Sequence, residues 1–279
     1  MRRCALLLAV LLGCTGDPAA PHLARGNVLV NNGKREEAAS EYREAARLSP
    51  KAALPLERLG DTLLDLGRAD EALEAYRQAS ARDAGSVTAR IGAARVLIEQ
   101  GRLADARGQL TLALRDQPSN LYALVSRGNV SQREGNLKAA LQDYETAVHL
   151  KSDNVPALYQ YGLALVADGQ REEAERTFDR LVKVAPGSPE GYHGRAREAA
   201  ARGDAEAAAL ALREAGLRVL KDARSQLAEQ GLTGAALERA ASETTRRSLA
   251  QMRAETAFAG FASDAAFRRA AGWDQPSGN

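Results

Sequence analysis

The sequence predicts an all-α protein, a linear array of helix pairs closed by a further helical segment, and three observations predict it. The first is a repeat. In steps of 34 residues a glycine returns as Gly33, Gly67, Gly101, Gly135, Gly169 and Gly203, and a small residue after it as Ala38, Ala72, Ala106, Ala140, Ala174 and Ala208. With 24 glycines in 279 residues, six in phase by chance in any register is on the order of 10⁻⁵, so the period is structural. The second is the apolar spacing on either side of each glycine. Leu158, Tyr161, Gly162 and Leu165 precede one of them and Ala174, Phe178 and Leu181 follow it, each set at the three-to-four interval of a helical face. The third is composition: 45% hydrophobic, 27% charged and 4% aromatic residues suit Ala-rich helices rather than a disordered tail or an all-β chain. Such an array grows along one dimension and needs no single central core.

Taken in order, residues 1–14 open with Arg2-Arg3, run through an apolar block from Cys4 to Leu12 and close on Gly13-Cys14. This reads as an export signal, because the nine apolar residues are too few to cross a hydrocarbon layer of about 30 Å as a helix. Leu11-Leu12-Gly13-Cys14 resembles the bacterial lipoprotein box, which implies that Cys14 is lipidated and becomes the mature N-terminus. The alternative is an ordinary signal peptide cleaved nearby, with Cys14 incidental. Cys4 and Cys14 are the chain's two cysteines, so nothing after residue 14 can form an internal disulfide. That usage favours lipid attachment over a redox or metal role. Thr15 stands where the family's inner-membrane retention signal has an aspartate, so the resemblance implies an outer-membrane lipoprotein facing the periplasm. The formal charge is +2, and Arg2 and Arg3 account for it, leaving 36 residues of each sign elsewhere. That balance offers no basic stripe for nucleic acid.

Residues 15–20 read as a short tether, and Pro21 suits a first helical turn. The repeats then run over 19–222 without insertion, as 19–52, 53–86, 87–120, 121–154, 155–188 and 189–222. Each holds a first helix, A, and a second, B. The glycine between them is expected to supply the left-handed residue that ends helix A. Acidic pairs such as Glu36-Glu37, Asp70-Glu71 and Glu172-Glu173 suit the positive end of helix B.

One position in helix A is always small: Gly26, Gly60, Ala94, Gly128, Gly162 and Ala196. One position in helix B is large: Tyr42, Tyr76, Leu110, Tyr144, Phe178 and Leu212. A closing proline stands at Pro50, Pro118 and Pro186. On these residues the chain resembles the tetratricopeptide repeat family. The resemblance implies a right-handed α-solenoid of six 34-residue helix pairs and covers about three quarters of the chain, ending near residue 222. Leu220 replaces the closing proline, so helix B of the sixth repeat is expected to continue.

Residues 223–279 form the C-terminal helical extension, in which the period is lost while Ala, Leu, Arg and Glu still favour helix. Gly231-Leu232-Thr233-Gly234 reads as a turn with Thr233 as the N-cap of a following helix. Phe258, Phe261, Phe267 and Trp273 cluster there. An array exposes a raw apolar face at its end, so a covering helix with aromatic anchors is expected. The alternative is that these aromatics bind a partner or the membrane boundary. Pro276 to Asn279 reads as a frayed end.

No catalytic constellation is present. His22, His149 and His193 are far apart, with no acid or cysteine at metal-ligand spacing, and the glycines recur singly instead of forming a phosphate loop. The expectation is a non-enzymatic protein without metal or cofactor. What remains is a surface. The family resemblance implies that helix A lines a concave groove for a protein or peptide. Carried over, its lining is Asn27, Asp61, Arg95, Asn129, Leu163 and Arg197 at one level, with Leu23, Glu57, Ile91, Val125, Tyr159 and His193 one turn earlier. Leu64, Tyr122 and Val166 complete the candidates. Leu23 stands where a carboxylate-clamp lysine would be, so that clamp is not supported. The layout is similar to that of lipoproteins with six such repeats that pilot secretin assembly for type IV pili. The expected function is therefore an interaction scaffold, touching the membrane through its lipid only, that assembles or stabilises a pilus, secretin, secretion or motility complex. The alternative is an accessory that recruits a periplasmic enzyme or its cell-wall substrate.

Overall fold

The computed structural model describes residues 17–261, 264, 267, 268 and 271. The helices pair as the period requires: α1 (Ala20–Asn31) with α2 (Arg35–Leu48), α3 (Leu54–Asp65) with α4 (Ala69–Arg82), α5 (Val87–Glu99) with α6 (Leu103–Asp116), α7 (Leu121–Arg133) with α8 (Leu137–Leu150), α9 (Val155–Asp168) with α10 (Arg171–Val184), and α11 (Pro189–Arg202) with α12 (Ala205–Glu229). Then come α13 (Gly234–Arg253) and a 3₁₀ turn, Thr256–Phe261. The class is all-α, and no strand occurs among the described residues. The expected export signal with Cys14, the start of the tether, Trp273 and the frayed C-terminus lie outside the described residues. No described helix is long and apolar enough to cross a membrane. The chain divides into two compact units between Ala123 and Leu124, a point within α7.

Helix A ends as the sequence predicts. Gly67 has φ +73° and Gly101 φ +74°, a region that costs an L-side chain but not glycine. At the first of these the Gly67 amide donates to Leu64 O and the Arg68 amide to Leu63 O, each at 2.8 Å. These are the paired bonds that satisfy the last carbonyls of a helix. The acidic pairs at the start of helix B are in place on α2, α4 and α10.

The small and large positions turn out to be chosen as pairs. Where helix A has glycine, helix B has an aromatic ring; where helix A has alanine, helix B has leucine. A Cβ on Gly60 would lie 2.6 Å from Tyr76 Cε1, and one on Gly162 would lie 2.5 Å from Phe178 Cε1. In two cases the ring is enclosed from the other side as well. A Cβ on Gly92 would meet Tyr76 at 2.4 Å and one on Gly194 would meet Phe178 at 2.2 Å. Gly92 and Gly194 are not singled out by the 34-residue comparison, because their equivalents in the other repeats are not all glycine.

In the first unit Tyr42, Tyr76 and Leu110 are fully buried between successive helices. Arg82 at the end of α4 donates to the carbonyls of Ala46 at 3.2 Å, Ser49 at 3.4 Å and Ala52 at 3.0 Å, closing the C-terminus of α2 and the turn after it. The tether's last residues belong to this unit. Asp17 Oδ1 accepts from the Ala19 amide at 3.0 Å and from the Ser49 hydroxyl, and Ala19 is fully buried.

In the second unit Tyr144, Phe178 and Leu212 occupy the equivalent places. Helix α12 runs on to Glu229, as the missing proline at Leu220 allows. Helix α13 packs along it, with Leu249 against Gly216 and Arg224 paired to Glu238 at 2.6 Å. Thr233 stands at the N-cap, but its side chain makes no cap hydrogen bond. The expected aromatic anchors are in place, carried by the 3₁₀ turn and by helical residues 267–268. Phe258 comes from the 3₁₀ turn and Phe267 from beyond it, and both are buried against Ala196, Ala199, Ala208 and Leu212. The tighter winding of a 3₁₀ turn sets residues three apart on one side, so Phe258 and Phe261 share a face.

Candidate functional site

The helix A positions fall into two groups. In the first, a candidate is tied to its own helix B. The Tyr42 hydroxyl donates to Asn27 Oδ1 at 2.8 Å, Tyr76 to Asp61 Oδ1 at 2.6 Å, and Tyr144 to Asn129 Oδ1 at 2.7 Å. Burial, then the Asp61 carboxylate, holds the Tyr76 phenol far above its usual range. A buried phenol needs an acceptor, and the residue fifteen positions earlier provides it. Where helix B has Phe178 the position is Leu163, and where it has Leu110 or Leu212 the position is Arg95 or Arg197. Polarity at this level therefore follows the helix B partner.

In the second group the candidate is not the acceptor for its own repeat's helix B ring. On the first unit, Arg95 reaches Asp61 at 3.5 Å, and both side chains are nearly half exposed. A concavity of about 260 Å³ between α1 and α3 brings Asn27 and Asp61 together with Asn31, Arg58 and Asp65. Glu57 accepts from the hydroxyl of Ser86, whose oxygen also caps α5 through the Ala89 amide. Leu64 is half-buried, and Tyr122 is 56% exposed.

On the second unit, Tyr159, Leu163 and Val166 are half-buried on α9. The Tyr159 hydroxyl lies 2.7 Å from His193 Nδ1 on α11, and His193 is 5% exposed. Glu255, just before the 3₁₀ turn, places its carboxylate 3.1 Å from His193 Nε2 and 3.2 Å from Arg197 Nη1. The Phe258 ring lies 6.3 Å from the His193 ring. Burial, with Arg197 adding to it, lowers the His193 imidazole to about 4, so it is neutral at pH 7. Burial raises the Glu255 carboxyl, against the pull of Arg197, and raises the Tyr159 phenol to about 12.

Sequence reasoning placed His193 at the groove level of Tyr159 but gave it no role. It missed Glu255, whose position beyond the repeats carries no periodic signal. Arg197 and Tyr159 are brought together by this arrangement. Asn27, Asp61 and Arg95 are neighbours on the first unit. Among the described residues no group of three or more His, Cys, Asp or Glu could hold a metal ion. The chemistry on offer is recognition, with cations, carboxylates and amides on one helix face.

Family models described as tetratricopeptide repeat match residues 23–87, 63–127 and 132–198, more than half of the chain. No curated protein matches it in sequence. Among solved structures, a tetratricopeptide repeat protein from Parabacteroides merdae is 19% identical with a TM-score of 0.64, covering 92% of this chain and 98% of its own. PilW, described as a widely conserved type IV pilus biogenesis factor, is 17% identical with a TM-score of 0.62, covering 81% of this chain and 99% of its own. YrrB, described as having an unusual peptide-binding site, is 24% identical with a TM-score of 0.55, covering 70% of this chain and 100% of its own. At these identities the likeness is one of fold.

Proposed function

The chain belongs to the tetratricopeptide repeat family, and from that premise we propose that it is a non-enzymatic scaffold that binds protein or peptide segments along its helix A faces. It is held by a lipid on Cys14 at the periplasmic side of the outer membrane, where it assembles or stabilises an envelope complex of the pilus, secretin, secretion or motility type. The observation that carries this reading is the pair Arg95 and Arg197. Each stands where its own helix B has leucine and offers no hydroxyl, and each pairs with a carboxylate, Asp61 or Glu255. Charged groups left over from packing on a regular surface are what a polar ligand reads. The peptide site in the description of YrrB supports the binding mode, and the pilus role in that of PilW supports the process.

The anchor has a geometric consequence. Asp17 is already fastened to Ser49, so the three residues from Cys14 reach roughly 10 Å. A lipidated Cys14 holds the first repeat against the membrane surface. The test is Cys14→Ala, with fractionation and crosslinking. The variant is expected to leave the outer membrane, and the wild-type protein to crosslink an envelope-assembly component. Retention of the variant in the outer membrane removes the anchor from this reading, and recovery of no such component removes the assembly role.

A further inference from the structure

The contact between α11 and the segment after α13 has the form of a ligand complex made within one chain. Glu255 lies outside the repeats, yet its carboxylate meets two helix A residues, the neutral imidazole of His193 at 3.1 Å and the Arg197 guanidinium, its counter-charge, at 3.2 Å. The imidazole is held in place from behind by the Tyr159 hydroxyl on Nδ1, which leaves Nε2 directed at the carboxylate. The fit is incomplete. His193 Nε2 and Glu255 Oε2 are buried, and neither has an aligned hydrogen-bond partner among the described residues. Buried polar groups without such bonds are costly. A carboxylate better placed than that of Glu255 would recover what this contact leaves unmade.

Nothing in the repeat requires these polar groups. At the Arg197 position other repeats place an acceptor for a tyrosine hydroxyl, but here helix B has Leu212, which has none to satisfy. The neighbouring ring slot holds Phe258, three residues after Glu255, and its ring continues the row Tyr159, His193, Phe258 at centroid spacings of 6.1 and 6.3 Å. The occupying segment is a short 3₁₀ turn, while α9 and α11 are each packed independently on α10. It can leave without unmaking the face it covers.

We propose that the Tyr159, His193 and Arg197 face of α9 and α11 is a binding subsite for a peptide carrying a carboxylate and, three residues later, an aromatic ring, and that residues 255–258 fill it in cis as a displaceable competitor. The assignment rests on the reading of helix A faces as peptide-binding surfaces. It names the chemistry one of them selects. Arg197 supplies the charge, His193 an oriented N–H, and the alanine-lined slot around Ala196 and Ala199 takes the ring.

The probe is a fluorescein-labelled peptide of residues 255–261, followed by anisotropy on the full chain. The variant Glu255→Gln/Phe258→Ala, which empties both halves of the subsite, is expected to bind it at least tenfold more tightly than the wild type. Adding Arg197→Ala is expected to abolish that gain. Equal binding to wild type and variant, or a gain that survives Arg197→Ala, overturns the proposal. Because Phe258→Ala removes a cap residue, a second measurement uses the unmodified protein. Excess unlabelled peptide is expected to speed amide exchange across 256–261 while α9 and α11 stay protected, and unchanged exchange at saturation overturns the proposal equally. If the peptide fails in both experiments while the chain still crosslinks envelope components, only this subsite falls. If crosslinking fails too, the scaffold reading falls with it.

Discussion

At the scale of single residues, the pairing of glycine with an aromatic ring and of alanine with leucine is a steric rule that the chain applies six times. Adding one methyl group where a ring sits 2.5 Å away forces the ring out of a slot closed on both sides by Gly162 and Gly194. Gly162→Ala is therefore expected to cost about 1–3 kcal/mol. Phe178→Leu, which converts the pair to the Ala94 and Leu110 combination, should recover part of it. In chemical denaturation the double variant should cost less than the two single variants added together, by about 1 kcal/mol or more; strict additivity would refute the steric account. His193 makes a second residue-scale prediction. Its native pKa of about 4 lies below the ordinary 6.5, so the unfolded chain takes up the proton first as pH falls. Stability is complete above pH 6.5 and is lost toward pH 4, amounting to about 2 kcal/mol by pH 5. Glu255 acts in the opposite direction, because its raised carboxyl is protonated in the native state before it is in the unfolded one. Arg197 and Tyr159 also face the imidazole, and Glu190 acts on Tyr159. Thermal melts between pH 7 and 5 should be flatter for His193→Gln than for the wild type, and an unchanged slope would exclude His193 as the source.

At the scale of elements, each helix B fixes more than its own core position. Its aromatic hydroxyl decides whether the residue fifteen positions earlier is an acceptor, as at Asn27, Asp61 and Asn129. Where helix B has leucine instead, Arg95 and Arg197 pair with carboxylates, Asp61 and Glu255. The joints between repeats are held by polar contacts of their own. Arg82 binds three carbonyls at the end of α2 and in the turn beyond it, groups that a helix terminus otherwise leaves unsatisfied. Arg82→Ala is expected to destabilise the first unit by about 1–3 kcal/mol. Arg82→Lys, which keeps the charge and three N–H donors but has a shorter reach than the Nη1 that makes all three bonds, should recover less than half of that. Urea denaturation of both variants measures the difference, and equal stability of Arg82→Ala and wild type would show that solvent replaces the contact.

At the scale of the whole molecule, helices within each unit touch their sequence neighbours, α1 through α6 in one and α8 through α13 in the other. Stability in such a chain is a sum of local terms. A lesion should therefore stay local: Gly162→Ala is expected to speed amide exchange in α9 to α12 and to leave α1 to α4 unchanged, and uniform acceleration would mean a single cooperative core. The sequence by itself determined the period, the helix pairs, the glycine that ends each helix A and the matched small and large positions. All of these depend on contacts within about one repeat, where spacing along the chain stands in for distance. Even the acceptor beneath each tyrosine hydroxyl is legible once the fifteen-residue interval is known. Only the tertiary structure decided which groove candidates are already engaged, that Gly92 and Gly194 close the far side of two rings, and that Glu255 returns to His193 and Arg197. The last contact joins residues about sixty positions apart, across a segment that has left the period. There the partner of a charge is set by where an irregular chain comes to rest on an exposed apolar end, and no local pattern encodes it.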